Sequence, residues 1–505
     1  DLHRIRESCQ ERSSLLRIAP HLVRPLPILV PTYRGLMKGR MAMRTALAIY
    51  DAITWDRNRG VPSWNRIPRG RILSRRECLE LYPALDRPEL TGGALFHDGQ
   101  MYNQTRLGLA FVRSAAERGA AVANYAEVAA FLREGDRIVG VRVTDRIGGG
   151  TFDVRGRVVI NAAGPWAEPL LRRSGLSLER TPTFSRDACF VVPRRLTPDT
   201  ALAIQGATND PDALLSRGER HLFLVPWRHC TLVGVWHVVH RGAPDDFTVT
   251  RADLDGFIAE INGALPGLDL THDDVALWNA GLVLFGENDP RARNLSYGKR
   301  SWIVDHERID GIADLLTVIG VRYTTARGVA RQTVDRAMRK MGQAPNRSPT
   351  AHAPIWGGDV DDLSQVVREA AGAGLEAPVA DALAHNYGSR FKDVLAEAAG
   401  RPELLRPIGG TTTLRAEVLH AVRREMAQCL EDVVLRRTDL GTADDPGDAA
   451  LHQVADIVAA ELGWDAARSR SEVERLRSHY LGRRGTDRSP VTIDAACDRP
   501  PRSSS

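Results

Sequence analysis

Two short stretches of this chain bring together residue types that let a ligand meet the backbone. In Val159-Ile160-Asn161-Ala162-Ala163-Gly164-Pro165-Trp166, an apolar run leads into three small residues, which leave the main chain open to close approach. In Val318-Ile319-Gly320-Val321-Arg322-Tyr323-Thr324-Thr325, a glycine ends a strand and threonines stand at the start of a helix. A helix start offers unpaired N–H groups and a partial positive charge to an electron-rich ligand. Each stretch alone is also an ordinary turn between strand and helix. The triplet Gly148-Gly149-Gly150 is a weaker signal: a strand follows it where a phosphate-binding loop needs a helix, so it reads as a hairpin turn. The six cysteines stand far apart with no C-x-x-C pair, and no histidines group at metal spacing. They read as free thiols of a reducing compartment, with no metal site.

Periodicity gives the elements that must position these turns. A helix is expected over residues 2–22, stopped by Pro20, and another over 107–118, stopped by Gly119. Short strands are expected at 120–125 and 128–132, then a hairpin of 138–144 with 151–154. A buried strand at 158–161 precedes the first junction and a helix through Arg172 follows it. Residues 181–300 read mainly as strands, at 188–192, 222–225 and 231–239, with one helix near 251–264. A buried strand at 315–319 leads through Gly320 to a helix from Thr324 or Thr325 to Met341. Residues 343–354 read as a linker. Beyond it the text is helical, including one long helix over 417–437, and the last twenty residues read as a disordered tail.

At 505 residues the chain exceeds one ordinary domain, and 43% hydrophobic with 26% charged residues places it among globular proteins. No apolar run approaches the roughly 18 residues of a membrane span. A net charge of +5 without dense basic clusters argues against a nucleic-acid partner. Charge is uneven, however. Residues 24–50 contain Arg24, Arg34, Lys38, Arg40 and Arg44 and no acid, with apolar residues read at helical spacing. Such a segment either packs its apolar stripe on its own domain or rests on an anionic bilayer surface.

Taken in order, several passages resemble the FAD-dependent glycerol-3-phosphate dehydrogenases, relatives of the D-amino-acid-oxidase-like flavoproteins. They are Leu16-Arg17-Ile18-Ala19-Pro20-His21-Leu22, the strand and turn from Ile160 to Trp166, and Phe223-Leu224-Val225-Pro226-Trp227. The junction Gly320 to Thr325 is similar to the family's Gly-Gly-Lys-x-Thr-Thr, and 417–440 to its C-terminal helical region. The resemblance implies an α/β FAD-binding domain over 1–180 and 301–345, and an antiparallel substrate sheet over 181–300. An α-helical C-terminal domain over 351–485 and a tail over 486–505 complete it. It implies oxidation of glycerol 3-phosphate to dihydroxyacetone phosphate, with electrons passed to quinone, by a cytoplasmic protein peripheral on the inner face of the cell membrane. The oligomeric state stays open.

The same resemblance assigns the flavin to Asn161, Ala162, Ala163, Gly164, Trp166, Gly320, Arg322, Thr324 and Thr325, with Val128 offering its backbone to the adenine. Arg322 stands at the family's lysine, and Arg300, 22 residues earlier, at its second active-site arginine. Two guanidinium groups suit a phosphate, since each donates parallel hydrogen bonds. His237 lies in the strand expected to face the flavin ring and has a suitable basicity near neutrality. His240 and His306 are lesser candidates.

Three departures accompany the resemblance. The family's opening βαβ unit with G-x-G-x-x-G has no counterpart in residues 1–505, nor has the active-site segment after it, so the FAD-binding domain is expected to be incomplete. Val283 stands at a substrate-phosphate arginine, and Gly234-Val235-Trp236-His237 at the family's Gly-Thr-Thr-Asp. Two alternatives therefore remain at this stage: an oxidoreductase of the same superfamily acting on a 2-hydroxy acid or amine, and a non-catalytic remnant.

Overall fold

The computed structural model describes residues 2–34, 40–209, 219–284, 301–320 and 322–483. Its first strands are β1 (Val23–Tyr33), β2 (Arg71–Ser74) and β3 (Leu90–Met101). A hairpin layer follows, β4 (Ala126–Glu134), β5 (Arg137–Asp145) and β6 (Thr151–Arg155), then the short β7 (Val159–Asn161). The β-rich stretch holds β8 (Phe184–Val192), β9 (Ala201–Asn209), β10 (Glu219–Trp227), β11 (Cys230–His240) and β12 (Leu277–Leu284). Last come β13 (Trp302–Asp305) and β14 (Leu315–Ile319).

Eight strands form one sheet in the order β12-β8-β11-β10-β9-β1-β3-β2, and two three-stranded sheets are ordered β13-β14-β7 and β4-β5-β6. The large sheet is antiparallel except where β1 meets β9, with Ile28 beside Ala201 and Leu29 beside Leu202. The β-rich unit expected over 181–300 thus extends into residues 23–101. The helical reading of residues 24–50 is corrected with it. Residues 23–33 are a strand paired with β3 along its length, and among the described residues of this stretch the helix is Arg40–Ile53. Pro25, Pro27 and Pro31 occupy alternate positions, so their missing N–H donors fall on one edge, the one β9 meets over two residue pairs only. Apolar residues spaced along a proline-rich strand mimicked a helical stripe.

The helix Arg251–Ala264, capped by Thr250, covers one face of the large sheet. Its Leu254, Phe257, Ile258 and Ile261 pack with Phe190, Leu222, Leu224 and Trp278. Phe257 meets Phe190 edge-on at 5.0 Å and stacks on Trp236 at 5.1 Å. The opposite face carries Ile28, Ala201 and Ala203 with the less buried Val30, Phe96, Phe223 and Val225. Side chains alternate between faces along a strand, and β10 shows it: Leu222 and Leu224 are buried, Phe223 and Val225 half-buried.

The helices after Leu363 divide between two cores. Ala370, Val379, Leu383, Phe391 and Val394 pack with Leu16, Ile18 and Leu107 of the first part of the chain, and the later helices dock on the sheet's end through Val191, Trp227, Cys230 and Leu277. No regular element stands between Lys340 and Leu363, as a linker requires. The long helix expected over 417–437 is broken. Arg415–Glu425 ends at Met426 in a left-handed conformation (φ 58°), and a π-helical stretch, Asp432–Arg437, follows. The apolar pattern runs on through this break because both pieces face the same core. The strand expected at 120–125 is also absent: residues 120–123 are exposed and the ladder begins at Ala126, opposite Asp145.

Candidate active site

The two ligand-type turns meet in space. β7 and β14 are adjacent and parallel, pairing Val159 with Leu315, Ile160 with Leu316 and Asn161 with Thr317. Both turns therefore leave from the same end of neighbouring strands, where open α/β sheets bind ligands. β14 is buried along its whole length. Among the described residues β7 is an edge strand, with Ile160 41% exposed.

Within the first turn, buried Asn161 is the organiser. Its Nδ2 donates to the Ala167 carbonyl at 3.1 Å and its Oδ1 accepts from the Ala163 N–H at 3.3 Å. This holds the chain in a tight turn while Ala162 and Ala163 stay exposed. Gly164 has a φ of +59°, and nothing lies within 4 Å of where a Cβ would stand. The second turn is fixed by crowding: Gly320 has a φ of +76°, and a Cβ there would lie 2.5 Å from Leu284 Cδ2. A short 3₁₀ turn, Tyr323–Thr325, then leads into the helix Ala326–Lys340. Arg322 precedes that turn in an extended conformation; Thr324 is exposed and Thr325 half-buried. Arg327 in the first turn of the helix is gripped by Glu11 through both its Nε and Nη2, which ties this end to the helix Leu2–Ile18.

A cleft of about 1570 Å³ adjoins the first turn, and Val128, Ala163 and Trp166 all line it. Its other wall includes Phe184, His240 and Leu282 from the large sheet. Trp166 Nε1 donates to Asp245 Oδ1 at 2.6 Å, linking the two walls. The structure thus brings three of the expected cofactor residues into one cleft and sets Asn161, Ala162 and Gly164 beside them. Gly320, Arg322, Thr324 and Thr325 lie on the neighbouring strand's turn. Arg300 lies outside the described residues.

His237 stands on β11 opposite Asp187 of β8, its Nδ1 2.9 Å from Asp187 Oδ1. Ser185 Oγ donates to the same carboxylate oxygen at 2.7 Å. Cross-strand pairing puts Val283 opposite Ser185 and Gly281 opposite Asp187, so all five residues share the face turned away from the helix Arg251–Ala264. Asp187 and Ser185 were missed from sequence, although two polar residues at i and i+2 in a strand mark one face. His240 Nε2 engages the Ala243 carbonyl at 2.8 Å. His306 is fully buried between Asp310 and Thr317, at 2.7 and 2.9 Å, and is a structural residue. Among the described residues no group of acidic, histidine and cysteine side chains gathers as a metal site.

A sequence profile described as FAD dependent oxidoreductase matches residues 5–335. Another, described as the C-terminal domain of alpha-glycerophosphate oxidase, matches 348–469. The glycerol-3-phosphate dehydrogenase of Mycobacterium leprae is 32% identical over 493 residues, 95% of this chain and 77% of its own. The chain belongs to the FAD-dependent glycerol-3-phosphate dehydrogenase family. A Synechocystis member is 29% identical over 489 residues, 94% of this chain and 85% of its own. The fold agrees with that of the Bacillus halodurans glycerol-3-phosphate dehydrogenase, solved as a complex with FAD. The TM-score is 0.75 at 22% identity, covering 95% of this chain and 86% of that one.

The residues present fit the family's cofactor. Ala162 and Ala163 are small and exposed, Gly164 faces open space, and the cleft beside them exceeds the roughly 300–1,000 Å³ usual for small ligands. A dinucleotide is large, so a large cleft bordered by exposed small residues suits it. When bound, FAD supplies a hydride acceptor. The protein's part is to hold the substrate and take up its proton.

Proposed function

We propose that this enzyme oxidises sn-glycerol 3-phosphate to dihydroxyacetone phosphate. The carrying observation is the pairing of β7 with β14, which sets both flavin-type turns side by side, in a chain whose named relatives are glycerol-3-phosphate dehydrogenases. Oxidation of the secondary alcohol removes a hydride from carbon and a proton from oxygen. His237 takes the proton, and Arg322 with Arg300 holds the phosphate. Two cations are the minimum for a dianion entering a partly desolvated pocket, because an uncompensated buried charge is very costly.

Electrons pass onward to a quinone at an anionic membrane surface. No described helix is long and apolar enough to cross a membrane. The support is the helix Arg40–Ile53, whose outer side leaves Met41 74% and Ile49 52% exposed, with Trp55 75% exposed just beyond and Arg44 also outward. An amphipathic, basic surface with a protruding tryptophan suits the headgroup region.

Val283 favours a second reading, oxidation of an unphosphorylated 2-hydroxy acid or amine. Steady-state rates of the FAD-loaded protein with glycerol 3-phosphate, glycerol, a 2-hydroxy acid and an amine separate the two. A kcat/KM for glycerol 3-phosphate at least 100-fold above that for glycerol supports the phosphate reading; equal use of the two overturns it.

A further inference from the structure

We infer that Asp187 is a positioning residue that fixes the ring tautomer of His237, and that Ser185 in turn fixes Asp187. The inference rests on the reading of His237 as the proton acceptor and adds how that acceptor is prepared.

The geometry is one-sided. Asp187 sits in β8 between His237 on β11 and Gly281 on β12. His237 Nδ1 and Ser185 Oγ converge on one and the same atom, Asp187 Oδ1, at 2.9 and 2.7 Å. A carboxylate only accepts hydrogen bonds, so the imidazole must present Nδ1 as N–H. In the neutral ring the basic lone pair then belongs to Nε2, and a proton is taken up there. Without such a partner a neutral imidazole divides between two tautomers, only one of which is a base at the required atom.

The surroundings favour the arrangement. The His237 and Asp187 side chains are 26% and 17% exposed, so their bond is partly screened from water yet reachable. Gly281 leaves open space on the other flank of Asp187, with no atom within 4 Å of a Cβ position. Val283 and Val239 flank Ser185 across the strands, so an apolar border surrounds the hydroxyl that holds the carboxylate. The face is the one left uncovered by the helix Arg251–Ala264.

The test uses Asp187→Asn, since an amide can donate to Nδ1 and reverse the tautomer with little change of shape. Nitrogen NMR of the His237 ring should show Nδ1–H in the parent and Nε2–H in the variant. In the FAD-loaded protein, kcat should fall on the order of 100-fold or more while KM changes less than about threefold. Ser185→Ala should lower kcat by a smaller factor. Asp187→Asn combined with His237→Ala should be no slower than His237→Ala alone. An Nε2–H parent ring, or an unchanged ring or kcat in Asp187→Asn while His237→Ala is slow, overturns the positioning role. A His237→Ala variant with full kcat instead overturns the reading of His237 as the base. If Asp187→Asn fails to fold, the Ser185→Ala kcat and the parent ring's tautomer decide the matter.

Discussion

Arg106 and Glu425, 319 residues apart, form a completely buried ion pair between the flavin-binding part and the C-terminal helices. Arg106 Nη1 lies 2.7 and 2.6 Å from the two carboxylate oxygens, and the side chains are 1% and 0% exposed. The guanidinium also donates to the Asn386 and Arg437 carbonyls and lies over the Tyr387 ring at 4.3 Å. Burial pushes the Glu425 carboxyl up, but the Arg106 charge outweighs it and holds the group below its ordinary range. Removing one member leaves the other charged and unpaired. Glu425→Ala is expected to destabilise the protein by about 3–5 kcal/mol, seen as a lower thermal midpoint.

Glu417, eight residues earlier, makes the opposite prediction. Burial pushes its carboxyl up from 4.5 to about 8, with Asp439 adding to the rise and the Leu414 N–H, 2.7 Å away, opposing it. Between these values the unfolded chain gives up a proton that the native protein keeps. Its contribution is therefore full below pH 4.5 and is lost as pH rises towards about 8. Glu417→Gln keeps the neutral shape. Thermal melts of that variant should lose this slope and, at pH 8, rise by roughly 3 °C or more over the parent.

Gly320→Ala tests the second flavin turn. The new methyl group would face Leu284 Cδ2 at 2.5 Å in a conformation that L-residues rarely adopt. A cost of about 1–3 kcal/mol is expected. Flavin retained through gel filtration, read by visible absorbance, should drop accordingly, whereas Gly256→Ala, with nothing within 4 Å, should retain it.

Arg322→Ala tests the phosphate clamp. It should lower kcat/KM for glycerol 3-phosphate by about 2–4 kcal/mol and leave the poor turnover of glycerol nearly unchanged. Equal losses on both substrates would rule the clamp out.

At the membrane, co-sedimentation with anionic vesicles should fall when Arg34, Lys38, Arg40 and Arg44 become Gln, and again when Trp55 becomes Ser. Each basic residue near such a surface contributes roughly 1 kcal/mol at low salt, so high salt should mimic the charge removal. Binding unaffected by either change would place the contact elsewhere.

Local signals were legible in the sequence and pairings were not. Asn161 to Gly164 and Gly320 to Thr325 could be picked out because small residues at a strand end act through their own backbone. That Asn161 stands beside Thr317 depends on a parallel pairing that no nearby residue announces. The strand at 315–319 and the helix at 251–264 matched the structure, since their apolar patterns lie within single elements. β1 was misread because its prolines resemble punctuation until β3 and β9 are placed on either side of it. The break at Met426 was hidden because the apolar pattern continues across it, and the buried contact of Glu425 with Arg106 beside it joins two distant parts of the chain. Asp187 became visible only once β8 and β11 were in register.

The pairing of β7 with β14 also sets a timetable. Asn161 leaves the ribosome well before Thr317, and at roughly 5–20 residues per second about 8–30 s of synthesis separate them. During that interval the turn after β7 exists without its neighbour, and β7 has no partner from β14. The proposed cofactor pocket is thus completed late in translation, and the nascent chain must keep a bare strand edge from pairing with other chains until residue 319 has emerged.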